Sequence, residues 1–346
     1  MALNLLTRHM PGDGHGAPRG LRALGAVMRS DIRGQAAAVI PVSGELTLAS
    51  APSFCRAVLA HLAAGASNLT VNLESVKVVD VVGLAAILEA VGHAERRDAR
   101  LSVLPSPVVY RALLEAELLG EIPLLADAPL EPGFAAAPPE RSSAPAYVAR
   151  TRRLGLRQPT WEELGLFARW AGEPLLDQMV GSELLYRCRH LGPYHPDFAA
   201  FVLGDPVSVT LVVEPLDPPH PPVGFVRLYE VHLAQQFAFL ETALADLHFI
   251  RRGWGVDATR LFLAFGCDVL GLQRVEAKVY GYNVLSSNSL KRGGFHLDGV
   301  LRQARVYNGE RWDINVFSIL GDEMREQRGK EQFPHMGFWE PADVAP

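Results

Sequence analysis

Near its middle the chain runs ADAPLEPGFAAAPPERSSAPAYVARTRR, Ala126 to Arg153, and no other stretch constrains the fold as much. Rich in Pro, Ala and Ser, it has neither the alternation of a strand nor the period of a helix. The 346 residues are therefore expected to divide there, with flanks each long enough to bury a core. The expected order is a tail over residues 1–34, a first domain over 35–125, a linker over 126–153, a second domain over 154–330 and a tail over 331–346. Hydrophobic residues at 49% and charged residues at 21% exclude wholesale disorder. A net charge of −5 lacks the basic field that nucleic-acid binding relies on, so no nucleic-acid partner is expected. Apolar runs such as Val207 to Val213 are strand-length, which argues against a membrane span. Leu3, Leu5 and Leu6 are followed at once by Arg8, too short an apolar run for a secretory leader. Cys55, Cys188 and Cys267 are far apart and lack CxxC spacing, which suits a reducing cytoplasm better than a disulfide framework or a zinc site.

In the first flank, Ala37 to Ser43 is an apolar run, and Pro52 to Ala64 places Phe54, Val58, Leu59 and Leu62 on one helical face. Strand runs follow at Leu69–Leu73 and Val76–Val79, a helical stripe at Leu84–Val91 and a strand at Leu101–Leu104. Strands alternating with helices imply crossovers, hence an α/β layer with a largely parallel sheet.

Gly44-Glu45-Leu46-Thr47-Leu48-Ala49-Ser50-Ala51-Pro52, Val71-Asn72-Leu73-Glu74 and Asp80-Val81-Val82-Gly83-Leu84 together resemble the STAS family of anti-sigma-factor antagonists. In those antagonists the last turn reads Asp-Ser-Ser-Gly and a serine is phosphorylated. Val81 and Val82 supply no oxygen to receive a phosphate, so no phospho-switch is expected here. The resemblance implies a constitutive docking module for a protein partner or a second copy. Val81 and Val82 have two readings, exposed as an apolar recognition end or packed under the sheet edge.

In the second flank, Thr160 with Glu163 forms a capping-box pattern. Val207–Val213 and Val223–Tyr229 read as a hairpin around a proline-stiffened tip, with further strands at Phe239–Ala245, Arg274–Tyr280 and Trp312–Ile319. Val275, Ala277 and Val279 alternate with Arg274, Glu276 and Lys278 in a half-buried pattern. Between strand and helix lies Arg251-Arg252-Gly253-Trp254-Gly255-Val256. Its two glycines let successive N–H groups turn toward one point at a helix start, where an anion is stabilised. Alone, the loop reads equally as a plain strand-to-helix turn, since it is neither GxGxxG nor a Walker loop.

That loop, then Asn283-Val284-Leu285-Ser286, Lys291-Arg292-Gly293-Gly294-Phe295, Gly299-Val300-Leu301-Arg302-Gln303 and Trp312-Asp313-Ile314-Asn315-Val316-Phe317, resembles the GNAT acetyltransferases of RimJ/RimL type. The fold class is thus α/β, a small STAS-like sheet with helices followed by a GNAT mixed α/β sheet. The resemblance implies acetyl-CoA as cofactor, its pyrophosphate on Arg251, Arg252, Gly253, Trp254, Gly255 and Val256, and Asn283 beside the pantetheine arm. Glu241 matches the family's acidic base, with Asp246 as the other candidate in that strand region, and Ser286 matches a serine near the thioester sulfur. Each has a structural reading too: Asn283 and Ser286 as a helix cap and helix-start serine, Glu241 as a strand charge.

Three positions depart from the pattern: Ile250 for Gln or Arg, Leu290 for the thiolate-protonating tyrosine, and Arg305 for an acid. Cys188, His190 and His195 fit no zinc spacing, so no metal is expected. Tyr186, Tyr194 and Trp170 suit either an acceptor pocket or the core. The leading expectation is N-acetyl transfer to a primary amine, small molecule or protein; the alternative is a non-catalytic acyl-CoA-binding regulator acting through the STAS module.

Overall fold

A computed structural model describes residues 37–125, 146–246, 248–250 and 252–339. The tail expected over 1–34, most of the linker, Arg251 and residues 340–346 lie outside the described residues.

The first region runs β1 (Ala37–Leu46), α1 (Ala51–Ala63), β2 (Asn68–Val79), α2 (Val81–Glu95), β3 (Arg100–Pro105) and α3 (Pro107–Glu115). Its three strands lie in the order β1-β2-β3, all parallel, as helical crossovers require. The runs at Leu69–Leu73 and Val76–Val79 form one strand rather than two. Asp80 caps α2: one carboxylate oxygen accepts from the Gly83 N–H at 2.8 Å and the other from the Leu48 N–H at 2.9 Å. Gly83 has no room for a side chain, since a Cβ there would lie 2.0 Å from the Leu46 carbonyl oxygen. The glycine is what lets α2 press against the end of β1.

Helix α2 is apolar on nearly every side. Gly83, Ile87, Ala90 and Ala94 are buried at helical spacing, and so are Val81, Ala85 and His93 along another face. Such a helix needs cover on both faces. The second region provides it: the Val81 N–H donates to the Asp205 carbonyl at 3.2 Å, and the His93 ring stacks on Trp339 at 4.1 Å between centroids. Val81 and Val82 are 1% and 0% exposed, so the reading of an apolar recognition end open to solvent is corrected in favour of packing.

The second region continues with β4 (Ala149–Arg150), β5 (Leu154–Arg157), α4 (Leu164–Ala171), α5 (Pro174–Val180), α6 (Glu183–Leu191), α7 (Pro196–Leu203), β6 (Val209–Pro215), β7 (Gly224–His232) and β8 (Phe237–Leu244). It closes with α8 (Trp254–Leu270), β9 (Arg274–Tyr280), α9 (Val284–Arg292), β10 (His296–Tyr307), β11 (Glu310–Leu320) and α10 (Gly321–Glu331). The strand order is β10-β11-β9-β8-β7-β6-β5-β4. All neighbours are antiparallel except β8 and β9, whose parallel pairing joins only Phe237–Phe239 to Arg274–Glu276. Beyond those residues the two strands part, and the sheet opens into a cleft.

The end of the expected linker belongs to this sheet, because Ala149 and Arg150 pair with Leu156 and Gly155. On the tail side, Phe333, Met336 and Phe338 pack on the core and Trp339 is buried. Thr160 and Glu163 exchange the reciprocal bonds of a capping box at 2.9 and 3.2 Å, while Arg157 grips the Glu163 carboxylate with both terminal nitrogens at 2.7 Å. No helix among the described residues is long and apolar enough to cross a membrane.

Candidate functional site

Where β8 and β9 separate, a cavity of about 680 Å³ opens. One side is the start of α8. Gly253 takes a left-handed φ of +84°, and no side chain among the described residues caps the helix, so the first-turn N–H groups are left for a ligand. Gly253, Gly255 and Val256 line the cavity. A side chain on Gly255 would start 3.6 Å from Leu244 Cδ1. Thr242 on β8 and Thr259 on α8 join hydroxyls at 2.9 Å and tie the strand to the helix.

The rest of the loop points elsewhere. The Trp254 indole is 6% exposed, packed edge-on against Phe249 and lying beneath the Arg153 guanidinium at 4.1 Å. The Arg252 carbonyl accepts from Arg153 at 2.8 Å, and its guanidinium meets His248 at 3.2 Å. These two residues are left with backbone groups, rather than side chains, at the turn.

The opposite wall is α9. Asn283 is 2% exposed and its amide is fully engaged: its oxygen accepts from the Ser286 N–H at 2.9 Å, and its nitrogen donates to Ser286 Oγ at 2.8 Å and to the Met179 carbonyl at 2.9 Å. It is the cap of α9 and also a latch onto the roof. Ser286 Oγ, already accepting from Asn283, keeps its own hydrogen for donation. Leu290 lines the cavity without a polar atom to offer.

The roof is the α5–α6 connection. Tyr282 Oη donates to the Gln178 carbonyl at 2.8 Å, and Gly181, with φ +63°, sits where a Cβ would lie 1.9 Å from Tyr280 Oη. The roof brings Ser182 over Glu241. Burial pushes the Glu241 carboxyl above its ordinary pKa, opposed by the Ser182 hydroxyl and the Arg227 guanidinium. Among the described residues, Glu241 Oε1 is buried with no hydrogen-bond partner. Arg227, 2% exposed, stands opposite Glu241 across β7 and β8. Sequence reading passed over Arg227, although a lone charge among Phe225, Val226 and Leu228 was the available signal.

Several candidates fall outside the cavity. Asp246 accepts from the His248 N–H at 2.8 Å in a turn beyond β8. Arg305 stacks over Tyr280 at 4.6 Å. Trp170 is core, packed on Phe167, whereas Tyr186 and Tyr194 are exposed on the outer surface. Cys188 is buried, and His190 and His195 bond to backbone at Tyr186 and Asp197.

Residues 30–124 match the family model described as Mlab, STAS domain. The C-terminal part is similar to two proteins of Bacillus subtilis (strain 168). One is the uncharacterized N-acetyltransferase YoaA, 32% identical over 98 residues, 28% of this chain and 53% of that protein. The other is the probable N-acetyltransferase YjcK, 34% identical over 101 residues, 28% and 54% of the two. The chain thus spans about half the length of the curated relatives it matches. Among solved structures, Mycobacterium smegmatis RimJ in complex with CoA-disulfide aligns at 19% identity and TM-score 0.43, covering 52% of this chain and 89% of that one. The spermidine N-acetyltransferase from Vibrio cholerae in complex with CoA and spermine aligns at 17% identity and TM-score 0.42, covering 51% and 99%.

Proposed function

We propose that this chain is an acetyl-CoA-dependent N-acetyltransferase that acylates a primary amine. The observation that carries the reading is the cleft itself, which joins an uncapped helix start to a buried carboxylate oxygen without a partner. The first-turn N–H groups and helix dipole at Gly253–Val256 suit a pyrophosphate, and the walls formed by β8, β9 and Leu285 suit an extended thioester arm. The residues present therefore fit the cofactor. When bound, acetyl-CoA supplies an acyl carbon activated for attack by an amine.

The chain's own groups manage protons and position. Glu241, its pKa raised by burial, accepts a proton from the incoming ammonium and leaves a neutral nucleophile. Ser286, oriented by Asn283, is free to direct its hydroxyl hydrogen into the cavity, the donor that Leu290 does not provide. Asn283 acts on the cofactor by fixing the start of α9 and holding the roof to it. The similarity to YoaA and YjcK supports transfer to nitrogen.

The STAS module, in this reading, docks within the chain. The contacts of its α2 with Asp205 and Trp339 support this reading, since they pack that helix against the catalytic half. The regulator reading keeps one favouring observation, the apolar Leu290 at the cavity. Incubation with acetyl-CoA and a panel of amines, read by product mass and thiol release, separates the two: acetylated product supports the transferase, and cofactor binding without product on any amine supports the regulator.

A further inference from the structure

The acceptor side of the cleft carries two side chains that each keep one buried polar atom without a partner among the described residues. Along β7, Phe225, Arg227 and Tyr229 share one face, and Val226 and Leu228 the other. Phe225 packs with the helices of the α4–α7 layer, which places Arg227 on that side of the sheet. Its Nη2 donates to Ser208 Oγ at 3.1 Å, with Asp205 at 3.9 Å, and its plane covers the Phe201 ring at 4.2 Å. Among the described residues Arg227 Nε, buried, has no hydrogen-bond partner and neither has Glu241 Oε1, and both residues line the cavity.

A buried polar atom without a partner costs about 1–3 kcal/mol, so a donor and an acceptor left open in one cavity point to a ligand that completes both. Directly opposed residues of an antiparallel pair have Cα atoms about 4.5–5.5 Å apart, so the ligand must offer its own donor and acceptor close together. Charge narrows the class. Asp205 and Glu241 both face Arg227, and Glu183 is paired with Arg187 at 2.7 Å, which leaves one carboxylate in excess around the site. A full carboxylate on the ligand would sit among Asp205, Glu183 and Glu241, whereas an uncharged oxygen satisfies Arg227 Nε without that repulsion.

We propose that the acceptor is a primary amine with an uncharged oxygen three bonds from its nitrogen, a 1,2-amino alcohol or an α-amino amide, its nitrogen on Glu241 and its oxygen on Arg227 Nε. This rests on the acetyltransferase reading above. The test uses the whole chain with acetyl-CoA and four acceptors of equal carbon length: a 1,2-amino alcohol, an α-amino amide, the plain alkyl amine and the free α-amino acid. Rates are normalised to the neutral amine. The expected result is a kcat/KM for the first two at least about ten-fold above the others, on the scale of one buried hydrogen bond. In Arg227→Lys that preference collapses while the calorimetric Kd for acetyl-CoA stays. A flat profile, or preference for the alkyl amine, overturns the proposal and leaves the transferase standing. Cofactor binding with no product on any acceptor overturns both. The unsubstituted protein alone decides the first comparison should Arg227→Lys fail to fold.

Discussion

Arg227 and Glu241 are directly opposed on neighbouring antiparallel strands, and each keeps a buried polar atom without a hydrogen-bond partner among the described residues. A base beside a positive charge in a closed cavity is held ready to ionise, while burial holds its pKa up. Glu241→Gln removes the proton acceptor but keeps the volume. Turnover is expected to fall on the order of 10²–10⁴-fold, with acetyl-CoA affinity nearly unchanged. Steady-state kinetics beside calorimetry check this, and undiminished turnover removes Glu241 from the mechanism.

The pH profile carries the sign. Because the folded pKa of Glu241 is raised, the active carboxylate forms only above the ordinary range of about 4. Rates normalised to the neutral amine are expected to rise with pH to a plateau whose midpoint lies above that range, and Glu241→Gln is expected to flatten the rise. A midpoint at or below 4 contradicts the burial argument.

Ser286→Ala removes the hydroxyl that Asn283 holds at the cavity wall. A loss of about ten-fold or more in kcat is expected, with little change in acetyl-CoA Kd. Equal losses in binding and turnover would make Ser286 a helix-start residue and nothing more.

The interface between the two halves is testable away from the site. Trp339 is buried and stacked on His93 of α2, so Trp339→Ala opens a void at the joint and is expected to cost about 3 kcal/mol. Hydrogen exchange should rise first in α2. Unchanged protection there would show that the stack does not hold the halves together.

The alternation of the elements was legible because it rests on local patterns. Apolar spacing marked β1, α1 and β9, and Gly253 and Gly255 marked the turn into α8. What could not be read depends on contacts distant in sequence. Val81 and Val82 look alike in sequence whether exposed or packed, and only packing with residues distant in sequence decides between the two. β10 went unread because it is an edge strand, exposed along most of its length and interrupted by a register shift between Leu301 and Arg305, so it lacks the alternation of a half-buried strand. Asn283 and Ser286 were found by motif, but the bond to Met179 that makes the asparagine a latch was invisible. Arg227 needed its register partner on β8 before it meant anything.

The central claim is that the turn at the start of α8 holds the cofactor, and calorimetric titration of acetyl-CoA into the whole protein and into Gly255→Glu tests it most directly. A carboxylate placed at this helix start meets the pyrophosphate with like charge. The account predicts saturable binding to the unsubstituted protein and its loss in a Gly255→Glu protein that still melts cooperatively. Equal binding to both, or none to the unsubstituted protein, contradicts it.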